Sequence, residues 1–432
     1  MKQDSFAHMR EIVQDGRADS VLADMYGGPD ALNAQRVRYA KLLVRMEQEF
    51  GAGPGMLLSV PGRTELGGNH TDHNHGRVLA AAVHLDCVAA VTPSSDMKVR
   101  IKSDGFAETI FVDLADLSPQ GAEVGKPSAL VRGVASGFVE NGLAVGGFSA
   151  CVNSSIPMGA GLSSSAAFEL LICSIFNHLY NSGTVSTLKA ASIARRAENV
   201  HFQKPCGFMD QIACAFKGVS EIDFKDPESP LIRPIECDLE AEGYRLVVVD
   251  TGGDHADMTP EYAAIASEMK LAANLLGQDA ARGLGSAKVM DSIGWLREKA
   301  GDRAVLRLMH FIGENDRVDL QAEALRSGRM QDYLSLVNES GESSCRLLQN
   351  CACTNNPQEQ PIPLALAMTE RILKGRGAWR VHGGGFAGTI QAYVPRESFD
   401  EYVESMERVF GRNSVVALHV RKVGTDVVFP VA

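Results

Sequence analysis

Four stretches of this chain gather residues of the kind that do chemistry. The first, PGRTELGGNHTDHNHG over 61–76, sets Arg63, Glu65, Asn69, His70, Asp72, His73 and His75 between two apolar runs. So many polar groups beside strand-like segments point to a ligand pocket. His70, Asp72, His73 and His75 are all possible metal ligands. Asn, His and Asp groups can equally hydrogen-bond sugar hydroxyls. A solvated turn is the plain structural alternative, and spacing alone leaves all three open.

The second stretch is PMGAGLSSSAA, 157–167. Its glycines let a backbone approach a ligand closely, and its serines add donors. The apolar run that follows reads as a helix whose free N–H groups and positive dipole end face the loop, a ready anion site. A helix cap explains one serine. Ser163, Ser164 and Ser165 in a row after Gly159 and Gly161 exceed what capping needs, which favours phosphate. No Walker A pattern is present, since Gly125-Lys126 is followed by Pro127, and no protein-kinase motif set occurs.

The third stretch, PCGFMDQI over 205–212, carries Asp210 among few other charges, after a helix that carries Glu198. Alone, Asp210 reads as a capping group; the functional reading is a general base. The fourth, GGGFAG over 383–388, formally matches GxGxxG. A dinucleotide fingerprint must open a helix, and the TIQAYVP that follows is strand-like. A tight turn and a phosphate contact stay equally open there.

These loops need elements to position them. Residues 1 to about 50 carry helical periodicity, as in AQRVRYAKLLVRMEQEF. LLSV and RVLAAAV are strand-like runs on either side of the first loop. From Leu85 to Val112 short apolar runs alternate with turns, which predicts an antiparallel sheet. FSACVNSSIP reads as a strand leading into the serine loop and a buried helix, and a second helix spans roughly Ser186 to Phe202. FKDPESPLIRP, near 224–234, is turn-rich and could join two domains, 1–225 and 226–432. Beyond it, YRLVVVDTG reads as a central strand, two or three amphipathic helices fill about 260–350, and AWRVHGGGFAGTIQAYVP reads as strand, loop, strand. Helices and strands mix without regular alternation, so the predicted class is α+β in two domains.

The chain's 432 residues suffice for two domains with real cores. With 45% hydrophobic and 22% charged residues it reads as an ordinary soluble protein. Acidic residues outnumber basic ones 53 to 42, a formal charge of -11 that argues against nucleic-acid binding. The start, MKQDSFAHMR, has no apolar run, so no signal peptide is expected. The most apolar stretch, Val78 to Val91, is interrupted by His84 and Asp86 and is too short to span a bilayer. Nine scattered cysteines fit reduced thiols in a cytoplasm, and the Cys351–Cys353 pair, with no second pair to complete a zinc site, reads as incidental.

Together the loops resemble the galactokinase family of the GHMP small-molecule kinase superfamily. The family's first signature is approximately GRVNLIGEHTDYNGG; this chain has GRTELGGNHTDHNHG. PxxxGLSSSAA stands intact as PMGAGLSSSAA, GxGFGG as GGGFAG, and PCGIMDQ as PCGFMDQ. DTGGDHADMTPEYAAI is similar to the family's segment with a histidine and a Glu-Tyr pair that approach the sugar, here His255, Glu261 and Tyr262. The matches run in order from about residue 55 to 395.

The resemblance implies a two-domain α+β fold, with a left-handed βαβ unit in the N-terminal domain and a ferredoxin-like C-terminal domain. It implies ATP-dependent phosphorylation of the anomeric C1 hydroxyl of galactose or a galactose-type sugar. On it, Asp210 is the base and Arg63 its charge-stabilising partner. Gly159, Gly161, Leu162, Ser163, Ser164 and Ser165 form the ATP phosphate loop, and Ser165 and Glu198 are the Mg2+ ligands. Asn69, His70, Asp72, Gly207 and Tyr262 contact the sugar. The chain departs from the signature at Asn69, where the family has a glutamate next to the C6 hydroxyl, and at Gly67, His73 and His75. A neutral Asn69 is expected to tolerate an acidic or altered C6, which leaves galacturonate or N-acetylgalactosamine as alternative substrates. A non-catalytic sugar sensor ranks lower, because such proteins damage the serine loop and this one is whole. The implied partners are a small sugar, with neither nucleic acid nor membrane.

Overall fold

The first fifty residues satisfy their helical period as three helices. A short strand β1 (Asp4–Ser5) leads into α1 (Phe6–Gln14), α2 (Asp19–Tyr26) and the 22-residue α3 (Pro29–Phe50), which starts with proline in its first turn. The computed structural model describes residues 4–429 apart from Met158, Ala160, 254–258, 353–355 and Ala387, and describes the backbone alone at Thr259 and 426–429. His255, the histidine of the DTGGDHADMTPEYAAI segment, lies outside the described residues.

Two long strands follow, β2 (Pro54–Gly67) and β3 (Arg77–Pro93), paired antiparallel around the 67–76 loop. β4 (Lys98–Ser103) and β5 (Ile110–Asp113) form an antiparallel hairpin. It does not pair with β3. After helix α4 (Pro127–Glu140), strand β6 (Phe148–Ser154) inserts between β3 and β4 and runs parallel to β4. The antiparallel sheet expected over Leu85–Val112 is therefore interrupted by a strand forty residues further on.

The serine loop opens α5 (Ser164–Tyr180), buried along most of its length. α6 (Thr187–Ala197) continues into a π-helical turn, Glu198–Phe202, and α7 (Met209–Ala215) begins one residue before Asp210. The turn-rich 224–234 segment is no linker. It closes a hairpin of β7 (Val219–Asp223), which pairs with β3, and β8 (Leu231–Ile235). The expected division at 225/226 thus cuts between two paired strands of one sheet.

In the second sheet β9 (Tyr244–Asp250) is central as expected. After α8 (Thr259–Leu275), α9 (Ser286–Ala300), α10 (Asp302–Arg326), α11 (Met330–Ser343) and α12 (Pro361–Leu373) come β10 (Ala378–Val381) and β11 (Thr389–Pro395). The chain ends with α13 (Phe399–Phe410), β12 (Val415–Leu418) and β13 (Asp426–Phe429). The order is β10-β11-β9-β12. β13 returns to pair with β2, so the chain end closes on the first sheet.

Strand alternation divides the core. Leu57, Val88, Ala90 and Cys151 face α1–α3, packing with Phe6, Met9 and Leu43. Their neighbours Leu58, Val60, Ala89, Val91 and Val152 face the α4–α7 side with Leu170, Leu171 and Ile212. In the second sheet Val247, Val249 and Ile390 pack on Ile362, Leu373 and Tyr402, while Leu246, Val248 and Tyr393 pack on Tyr333 and Val337 of α11. The cysteines correct one expectation: Cys345 and Cys351 are joined in a disulfide, with Cα atoms 5.1 Å apart. Cys353, the other half of the CxC pair, lies outside the described residues. No helix among the described residues is long and apolar enough to cross a membrane.

Candidate active site

The site begins at an irregularity in β2. Its register against β3 slips between Pro61 and Arg63, the kind of local bulge that re-aims a side chain. Arg63 is thereby turned under the serine loop. Its backbone N–H bonds Leu162 O at 3.2 Å, and its Nη1 donates to Gly161 O. Its Nε and Nη2 both donate to Asp210 Oδ1, at 2.9 and 2.8 Å. The other carboxylate oxygen, Oδ2, accepts from Ser163 Oγ at 2.6 Å. Burial would raise the Asp210 carboxyl, but the Arg63 guanidinium and the hydrogen bonds from Ser163 and Arg63 outweigh it and hold it below the usual carboxylate range. Asp210 is therefore charged at neutral pH, with about a third of its side chain open.

Ser163 sits at the N-cap of α5 in the left-handed region, φ 58°, and makes no side-chain cap. Its hydroxyl is committed to Asp210, so the first turn of α5 keeps its N–H groups for a ligand. Ser164 begins the helix. Leu162 contributes only backbone, its side chain being buried in the core. Gly159 has φ +81° and open space where a Cβ would project, and Gly161 packs against His382.

In the first turn of α5, Ser165 Oγ donates to Glu198 Oε1 at 3.1 Å. Lys204 Nζ reaches the same oxygen at 3.3 Å, and Gln211 Nε2 donates to Glu198 Oε2 at 2.9 Å. A second buried carboxyl, Glu169, accepts from the same Gln211 nitrogen at 3.1 Å. Burial, and then the Glu198 charge, push Glu169 well above the usual carboxylate range.

The 67–76 loop makes the opposite wall. Asp72 opens a short 3-10 turn, and its Oδ2 packs so tightly on Gly207 that a Cβ there would lie 1.8 Å from it. Any other residue at 207 would expel Asp72. His70 Nε2 meets Gly384 O at 2.9 Å, and its ring stacks on His73. Burial and His73 push its pKa down to about 4, so His70 is neutral. Tyr262 donates to Gly385 O at 3.0 Å and packs edge-on against Phe386. Glu261, its neighbour, lies 3.9 Å from Arg303. Asn69 is fully buried and its amide is committed four times: Nδ2 to Glu65 Oε1 (3.0 Å) and Gly383 O (2.7 Å), Oδ1 from Ser344 Oγ (3.3 Å) and Asn350 Nδ2 (2.8 Å). The structure thus joins Arg63, Asp210, Ser163 and Gly161 in one cluster, Ser165 and Glu198 in a second, and Asn69, His70 and Tyr262 along the glycine loop. Among the described residues no cluster of three or more His, Cys, Asp or Glu side chains is arranged to hold a metal ion.

Comparison with known proteins places this arrangement. Residues 129–218 match the family model of the GHMP kinases N terminal domain, and residues 46–93 match the galactokinase galactose-binding signature. The chain is 32% identical over 379 residues to the galactokinase of Streptomyces coelicolor, covering 87% of this chain and 94% of that protein. The chain belongs to the galactokinase family. It is also 32% identical over 352 residues to the galactokinase of Streptomyces lividans. Its fold is similar to that of Lactococcus lactis galactokinase solved with galactose, with TM-score 0.78 at 23% identity, covering 90% of this chain and 99% of that one. Mevalonate kinase from Methanococcus jannaschii shares the fold more distantly, with TM-score 0.61 at 15% identity, covering 85% and 99%.

Set beside the galactokinase signature, two departures escaped the sequence reading: Thr64 stands where the signature has valine, and Glu65 where it has asparagine, while Asn69 stands where it has glutamate. The carboxylate and the amide have changed places, and they bond each other. Glu65 also pairs with Arg380, buried in β10. The signal was available in the motif, at the position four residues before Asn69. Glu169 and Gln211 were missed too. Both lie within a turn of named site residues, but only the fold shows that they meet.

Proposed function

We propose that this protein transfers the γ-phosphoryl group of ATP to the anomeric C1 hydroxyl of galactose, with Asp210 as the proton acceptor. The observation that carries the reading is the Asp210 cluster. A carboxylate held ionised by Arg63 and Ser163 stands beside the open end of α5 and three residues after Gly207, which seats Asp72. The curated galactokinase relatives support the substrate.

In the proposed reaction the sugar C1 oxygen forms a bond to the γ-phosphorus as the bond to the departing ADP oxygen breaks, and the hydroxyl proton passes to Asp210. Its lowered basicity suits a loose phosphoryl transfer, in which the alcohol proton leaves late and positioning dominates. Arg63 and the N–H groups of the serine loop would face the phosphate oxygens. Asp72, His70 and Tyr262 would shape the sugar side, with the buried Asn69 holding the glycine loop at Gly383.

The donor set of Ser165 and Glu198 fits Mg2+, which takes hard oxygens and typically one or two carboxylates beside substrate phosphates. Bound there, Mg2+ supplies neutralisation of phosphate charge. Replacing the proton acceptor tests the reading. Asp210→Asn should lower turnover roughly 10²–10⁴-fold in a coupled ADP-release assay while galactose still binds. Turnover near that of the unaltered protein would overturn it.

A further inference from the structure

We propose that Glu169 is a positioning residue for the metal site, holding Glu198 in its ligating orientation through the side chain of Gln211. This inference rests on the reading of Ser165 and Glu198 as metal ligands.

Glu169 follows Ser165 by four residues on α5, so the two share a face of the helix. That face looks onto the π-helical turn bearing Glu198 and the start of α7 bearing Gln211. All three side chains, Glu169, Glu198 and Gln211, are buried. The geometry is a fork. Gln211 Nε2 donates one hydrogen to Glu198 Oε2 at 2.9 Å and the other to Glu169 Oε2 at 3.1 Å. With both hydrogens spoken for, the amide cannot rotate without losing a bond at zero solvent exposure. Glu198 Oε2 is thereby pinned, and Oε1 is left facing Ser165 Oγ. A ligating carboxylate oriented by a partner behind it is a recurrent arrangement in metal sites.

A purely structural role fits less well. Glu169 Oε1 and Gln211 Oε1 have no hydrogen-bond partner among the described residues. Two carboxyls and an unsatisfied amide are a costly way to fill a helix interface that leucine would fill.

Mn2+ is the probe. Its affinity is measured by electron paramagnetic resonance titration of the free ion, in the presence of a non-hydrolysable ATP analogue. Glu169→Leu removes the fork and should weaken Mn2+ binding about tenfold, whereas Glu169→Gln, whose amide oxygen can still accept, should stay within about threefold. If Glu169→Leu does not fold by circular dichroism, Gln211→Met carries the same expectation. Unchanged Mn2+ affinity in the folded fork variant, with a loss in Glu198→Gln, overturns the inference alone. Unchanged affinity in Glu198→Gln overturns the metal reading beneath it.

Discussion

Asn69 shows what a residue type can and cannot say. From sequence it is a neutral replacement that should loosen the choice at C6. In the fold its amide has four protein partners, and three of them, Gly383, Ser344 and Asn350, lie 314, 275 and 281 residues away. No periodicity or motif reports contacts at that separation. By contrast, Arg63, Ser163 and Asp210 each sit inside a contiguous motif, and it was the resemblance of those motifs to the galactokinase family, more than the residue types, that singled them out; alone, Asp210 reads as a cap. Asn69→Glu alone should therefore act on stability before specificity. It would place a second carboxylate against Glu65, already pushed up by burial despite Arg380, with no water to screen the pair. The expected loss is on the order of 2–4 kcal/mol in urea unfolding. The double exchange Glu65→Asn with Asn69→Glu restores one amide facing one carboxylate, and should recover a substantial part of that loss. Strictly additive losses in the double variant would show that the two positions do not act as a pair.

Elements were most legible where local chemistry sets them. The strand, glycine loop and strand of β10 and β11 follow from their residues, as do central β9 and the buried helix behind the serine loop. The hairpin of β7 and β8 was not, because its Pro- and Ser-rich turn resembles a linker. Nor was the π-helical turn Ser344–Leu348, which leads from α11 to Asn350 and the disulfide. That segment carries Ser344 and Asn350 to Asn69, and Asn350 Nδ2 also to Gly384 O at 3.1 Å. The Cys345–Cys351 bond closes a ring of a few residues around Asn350. Closing so short a loop stabilises by roughly 2 kcal/mol in the chain-entropy picture. Thiol titration of unfolded protein should find two fewer thiols without reductant than with it. Reduction, or Cys345→Ser with Cys351→Ser, should lower Tm by a few degrees. Equal thiol counts in the two conditions would show that the bond does not form in solution.

At the scale of the whole molecule, the chain end ties the first sheet to the opening helices. Arg421 and Arg38 both reach the buried Asp86, which also accepts from Tyr26. Beside this knot, Val420 bridges Val83, and the backbone N–H of His419 donates to His84 Nδ1 at 3.1 Å. Burial and the neighbouring His419 push His84 down to about 4, against the pull of Asp86 and Glu240. Its folded pKa is thus below its unfolded one of 6.5. Between those values the unfolded chain binds the proton and the folded chain does not. The stability held by this seam is therefore full above pH 6.5 and is lost as pH falls toward 4. His70 adds to the same window, while Glu65 and Glu169, both raised, oppose it, so the total slope is a balance. The contribution of His84 is isolated by difference. Gln at 84 can still accept the His419 N–H but does not titrate. Urea unfolding of wild type and His84→Gln at pH 7, 6 and 5 should show wild type losing stability relative to the variant on acidification, the slopes differing by about one proton. Parallel curves would mean that His84 takes up its proton in the folded protein as readily as in the unfolded chain, and that the seam between β3 and the chain end does not sense pH.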